Sequence, residues 1–118
     1  MAWSEAERIL KSDSEINEYL NEMGGFHDYV IGSLSCKSNE IRIGVEEECN
    51  LTKPKENKGM IWFFTIHTAS EVIISLDCIM RCFVSEISLE GNQYHFDLDN
   101  GYIGFKSDNA ELRIPQRA

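Results

Sequence analysis

Long apolar runs are missing from this chain: the longest, Met60 to Phe64, falls far short of the roughly 18 residues that a membrane-crossing helix requires. No membrane span is expected. Basic residues are scarce as well, 11 Lys and Arg against 20 Asp and Glu, which leaves a formal net charge of −9. Nucleic acid and anionic membranes both demand a basic footprint, so neither is expected as a partner, whereas a basic protein or a cation would be attracted. The four cysteines, Cys36, Cys49, Cys78 and Cys82, contain no CxxC spacing. They lie largely in strand-like apolar contexts and are expected to be buried free thiols rather than disulfide or zinc partners. Met1-Ala2-Trp3-Ser4-Glu5 lacks a basic stretch followed by an apolar one, so no secretory signal is expected and the cytoplasm is the expected compartment.

Several kinds of chemistry lack their residues too. There is no Gly-x-Ser-x-Gly elbow or Cys/His protease context, and Gly24-Gly25 precedes a strand pattern rather than the helix that a phosphate-binding loop opens. No catalytic residue, metal ligand set or cofactor is assigned. A non-catalytic role is expected in preference to an enzymatic one.

What the chain does contain is enough apolar material for one core: 42% of its 118 residues are hydrophobic and 10% aromatic. A single domain over residues 1–118 is expected, with a helical arm over 1–24 and an antiparallel β meander over 25–118. The two halves meet at Met23-Gly24-Gly25-Phe26-His27-Asp28-Tyr29-Val30, where apolar spacing changes from helical to period two. Gly24 suits the positive φ that ends a helix, Gly25 lets the chain redirect, and Phe26 supplies an apolar anchor where the first strand is expected to open.

Upstream, Ser4-Glu5-Ala6-Glu7 and Ser12-Asp13-Ser14-Glu15 both fit the capping box and predict two short helices or one broken one. Ile16, Tyr19, Leu20 and Met23 form one apolar stripe, with Glu15, Glu18 and Glu22 facing away. Trp3, Ile9 and Leu10 could extend the same contact.

Downstream, Tyr29 to Cys36 and Ile41 to Glu47 read as a hairpin around Lys37 to Glu40, with Ile41, Ile43 and Val45 on one face and Arg42, Gly44 and Glu46 on the other. Asn50 to Gly59 reads as a solvated loop. Met60 to Ile66 reads as a central strand covered on both faces. From Glu71 to Val84, Val72, Ile74, Leu76, Cys78, Met80, Cys82 and Val84 share one face at period two, which predicts one long strand or two consecutive ones. The phase slips by one at Ile87 and Leu89, which predicts a bulge or turn near Ser85. Gly91-Asn92 and Asn100-Gly101 suit two-residue hairpin loops, with Tyr94, Phe96 and Leu98 inward between them. Tyr102 to Phe105 and Glu111 to Ile114 complete the expected meander. The expected class is α+β, mainly β: a helical arm packed on an antiparallel sheet of about seven or eight strands, as a small sandwich or half-open barrel.

Two groups of residues are candidates for binding. In His27-Asp28 a carboxylate neighbours an imidazole, although side chains of adjacent strand residues point to opposite faces. The pair could bind or catalyse, as in a small-molecule or metal-dependent enzyme, or could satisfy backbone groups freed at the corner. His95, Asp97 and Asp99 share one face of a strand at steps of about 6–7 Å, too far apart for one metal ion unless neighbours such as His67 converge on it. Otherwise the row is a solvated sheet face.

The order of features, Phe26-His27-Asp28-Tyr29-Val30-Ile31, then Glu40-Ile41-Arg42-Ile43-Gly44-Val45, then Trp62-Phe63-Phe64, then Tyr94-His95-Phe96 to Leu112-Arg113-Ile114, resembles small uncharacterised bacterial proteins, some of them similar to immunity proteins of polymorphic toxin systems. The resemblance covers about Phe26 to Ile114, and Tyr29 stands where that pattern has a small residue. It implies a bacterial cytosolic domain of unknown or toxin-neutralising role and carries no catalytic residues with it. A non-catalytic protein-interaction module, an acidic immunity-type inhibitor of a toxin, is the expected function. It is expected to be a monomer, or a homodimer if an exposed strand edge drives self-association.

Overall fold

The computed structural model describes residues 8–38, 40–47, 60–76 and 82–115. Among these, nine strands and one α-helix form a mainly β fold of the α+β class. The helix, α1 (Asp13–Glu22), begins where the capping box places it. The Glu15 amide donates to Ser12 Oγ at 3.2 Å, and the Ser12 hydroxyl donates to the Glu15 carboxylate at 3.1 Å. Its stripe is buried at Ile16 and Leu20 and half-buried at Tyr19 and Met23.

Residues ahead of it depart from expectation. Arg8–Leu10 is a strand, β1, rather than the end of a capped helix; the Ser4 to Glu7 cap itself lies outside the described residues. A helix broken at Ser12 would be too short to stand without packing, whereas strand pairing buries Leu10 opposite Leu112.

The remaining strands are β2 (Val30–Lys37), β3 (Glu40–Glu46), β4 (Ile61–Ile66), β5 (Ser70–Leu76), β6 (Cys82–Glu90), β7 (Gln93–Leu98), β8 (Gly101–Lys106) and β9 (Ala110–Ile114). Their order across the sheet is β1-β9-β4-β3-β2-β6-β7-β8-β5, antiparallel throughout. This corrects the expected meander. After β8 the chain crosses to the other arm, held by Ser107 N to Asn92 O and by His67 N to Asn109 O, and β9 pairs with β4 and β1. The free side of β8 is taken by β5 instead.

The sheet has two arms, β1-β9-β4-β3-β2 and β6-β7-β8-β5, joined among the described residues by Val30↔Phe83 and Ile31↔Cys82. The two arms curl toward each other, so that Phe64 of β4 meets Phe96 of β7 edge-on at 5.1 Å. Helix α1 lies between them: Tyr19 OH accepts from Trp62 Nε1 at 2.9 Å, and Asp13 accepts from Tyr94 OH at 2.7 Å. One apolar cluster joins the helix to both arms.

Period-two burial holds in β4 and β7 and in β3 as far as Ile43, beyond which Gly44 is buried too, and the bulge anticipated near Ser85 falls between Val84 and Glu86. The β7–β8 turn is Asp99-Asn100, one residue earlier than expected. Strand β4 is central, but only its inner face is covered; Phe63 on the outer face is screened by Arg42, whose guanidinium sits 4.6 Å from the ring centre. Of the long period-two segment, β5 and β6 are separate and not neighbours, and residues 77–81 lie outside the described residues. Strand β5 is exposed along its whole length, so Val72, Ile74 and Leu76 do not form a buried face. Among the described residues one partner strand, β8, and no covering layer reach it. Two of the cysteines differ as well: Cys36 is free but exposed, and Cys82 is disulfide-bonded rather than a buried thiol, while Cys49 and Cys78 lie outside the described residues. Cys36 sits near the β2–β3 turn, where the strand has left the core.

Candidate functional site

The corner between α1 and β2 is built from left-handed backbone. Gly24, Gly25, Phe26 and Asp28 have φ of +63°, +69°, +58° and +72°. Such values cost a non-glycine residue about 1–2 kcal/mol, and at Phe26 burial of the ring offsets this. Its ring lies edge-on to Tyr29 and Trp62 at 5.2 and 5.3 Å and is fully buried. Driving Phe26 inward leaves His27 and Asp28 outside. Neither belongs to a strand, because β2 opens only at Val30, and the expected alternation does not keep them apart.

The His27 and Asp28 side chains meet, His27 Nε2 to Asp28 Oδ1 at 3.5 Å. His27 Nδ1 donates to the Ser85 carbonyl at 2.9 Å, Asp28 N donates to Val84 O, and Val84 N donates to Tyr29 O. The corner is thus tied to β6 at its bulge, while at the helix end Phe26 N donates to Met23 O and His27 N to Gly24 O. The two side chains are 66% and 80% exposed and face open solvent. An exposed pair of this kind has no apolar wall to raise its electrostatic strength.

The second candidate row is divided. Glu90 Oε1 lies 3.3 Å from His95 Nε2, and Tyr102 OH lies 2.6 Å from Nδ1. A neutral ring donating from Nε2 to the carboxylate and accepting from the phenol at Nδ1 satisfies both contacts. Asp97 is paired in register with Glu86 of β6, and Asp99 sits in the turn, where its amide donates to Phe83 O. His67 does not approach this row. It belongs to the other arm, where Nε2 lies 3.1 Å from Glu111 Oε2 beside a shallow cleft of about 200 Å³ that Arg42, Phe63, Thr65 and Arg113 also line. Among the described residues, no three His, Cys, Asp or Glu side chains gather as a metal site.

What the structure does gather is negative charge. Asp28 and Asp99 are fastened by their amides to Val84 and Phe83, and Glu86 and Asp97 stand opposite each other one step further along the same strand. All four are exposed. The opposition of Glu86 and Asp97 depends on the bulge at Ser85, a register detail invisible to residue type alone.

The two corner glycines allow a paired prediction. A Cβ on Gly24 meets nothing within 4 Å, so Gly24→Ala is expected to cost only the left-handed strain, about 1 kcal/mol. A Cβ on Gly25 lies 2.8 Å from Glu86 Cγ and 3.3 Å from Ile87 O, so Gly25→Ala adds a clash and is expected to cost about 1–3 kcal/mol more. Urea unfolding of both variants checks the order; equal midpoints would contradict the close seating of the corner on β6.

Compared with protein-family models, with curated proteins and with solved structures, the chain finds no significant match in any of the three. No helix among the described residues is long and apolar enough to cross a membrane.

Proposed function

We propose that the protein is a non-catalytic binding module whose acidic outer face receives a basic protein, acting as an immunity-type inhibitor that covers the cationic active site of a bacterial toxin. The observation that carries this reading is Glu86 directly opposite Asp97 on neighbouring antiparallel strands, with Asp28 and Asp99 held to the same end of β6. Like charges set opposite one another on a sheet lower stability. A cationic partner would relieve that repulsion, so binding would gain both the new attraction and the lost cost. The chain's net charge of −9 adds long-range steering, which speeds encounter with a basic surface and weakens with salt.

The test is affinity capture from a lysate of the source cells at low and high salt, using the wild type and a Glu86→Lys/Asp97→Lys double variant. Capture of a basic protein that falls steeply with salt and is lost in the variant is expected. Salt-independent capture, or equal capture by the double variant, would refute the acidic face as the binding surface.

A further inference from the structure

Among the described residues the sheet has two open edges, β1 and β5. Strand β1 offers three residues, whereas β5 offers seven and pairs on one side only, with β8. Edges are ordinarily guarded by charge, proline or a bulge. Here the bulge lies at the start of the strand, between Ser70 and Ile73, and the Glu71 carboxylate is drawn back to Lys106 at 3.0 Å. Val72-Ile73-Ile74-Ser75-Leu76 is left without a charge, and its apolar side chains are 44%, 59%, 39% and 37% exposed at Val72, Ile73, Ile74 and Leu76.

We propose that a second copy of this chain docks on β5, strand against antiparallel strand, to make a two-fold homodimer with one continuous sheet. Two features single out a second copy. The stretch is self-compatible: pairing about Ile74 sets Ile74 against Ile74, Val72 against Leu76 and Ile73 against Ser75, with no charged residue of Val72 to Leu76 in the pairing. A copy carrying a net charge of −9 is repelled by the acidic face, so a charge-free edge is where two such chains can approach. Ile74 stands opposite the buried Ile103 on β8, so its side chain extends the core face outward, and the second β5 would continue that face. Main-chain hydrogen bonds across the new pair supply the direction and the register. The acidic end of β6 takes no part and stays open.

Light scattering coupled to size-exclusion chromatography over a wide concentration range tests this. The molar mass of the wild type is expected to rise toward twice the monomer value with concentration, and to do so at lower concentration in high salt, which screens the repulsion between two copies of net charge −9. Ile73→Lys, on the exposed outer side of the strand, is expected to give monomer throughout while keeping its circular dichroism and melting temperature. Should that variant lose its fold, amide hydrogen exchange of the wild type decides: β5 amides slow with concentration if the edge is paired. A monomer at every concentration overturns the proposal and assigns the edge to a different protein or to none. A dimer that survives Ile73→Lys, or β5 amides indifferent to concentration, overturns it as well.

Discussion

Replacing Phe26 with alanine is expected to destabilise the protein by about 3–5 kcal/mol, the range found when a fully buried aromatic is truncated. Phe26 holds a left-handed backbone only because its ring fills the space between Tyr29, Trp62, Tyr19 and Phe64, with centroids 5.2, 5.3, 6.2 and 6.3 Å away. Alanine keeps the strained φ of +58° and loses the ring that offsets it. The effect should extend beyond stability, since the corner presents His27 and Asp28 and seats on β6 at the acidic end. Chemical denaturation gives the first quantity. Loss of the Tyr29 and Trp62 ring-current shifts in the proton spectrum gives the second. A loss under about 1 kcal/mol would mean that the corner is not anchored through this ring.

Alkaline unfolding is the other large effect. The Tyr94 phenol is held well above its ordinary value by burial first, then by its hydrogen bond to Asp13 and the carboxylates of Asp13 and Asp108. Tyr29 is raised as well, by burial and then by Glu47 and Tyr19. In the unfolded chain a tyrosine releases its proton near pH 10. Below that pH both states keep the proton and the full stability is present. Above it the unfolded state gains by ionising while the folded state does not, and Tyr94 alone removes about 1.4 kcal/mol per pH unit. Tyr94→Phe is expected to lose about 1.5–3 kcal/mol at neutral pH, from the bond to the Asp13 carboxylate, and then to fall less steeply above pH 10. Urea midpoints from neutral to strongly alkaline pH distinguish the two; parallel curves would refute the assignment.

Much of the local structure was legible because it is local. The Ser12 cap, the Ile16 to Met23 stripe, the helix-ending Gly24 and the inward alternation of Tyr94, Phe96 and Leu98 all depend on neighbours a few residues away. Even the bulge at Ser85 showed itself as a one-residue phase slip. What failed depends on partners far along the chain. Arg8–Leu10 becomes a strand because β9 is there to pair with it, and β9 leaves the meander because the edge of β8 is already occupied. Val72, Ile74 and Leu76 have a core-like pattern, but alternation says only which residues share a face and not whether anything covers it. At the candidate site, His27 and Asp28 were evident as neighbours at a corner. The Glu86 and Asp97 opposition was not, since it follows from the cross-strand register set by that bulge.

The pairing of β1 with β9 also bears on how the chain is made. Among the described residues the arm containing β4 and β3 is completed on its outer side by β9, and β1, near the opposite end of the described chain, joins the sheet through β9. A polypeptide still emerging from the ribosome can form the β6, β7 and β8 hairpins as they appear, but that first arm must wait unfinished until residue 114 has been synthesised. Contacts closed over so long a separation form slowly. Clipping a few residues from β9 would therefore strip two strands from the arm rather than one.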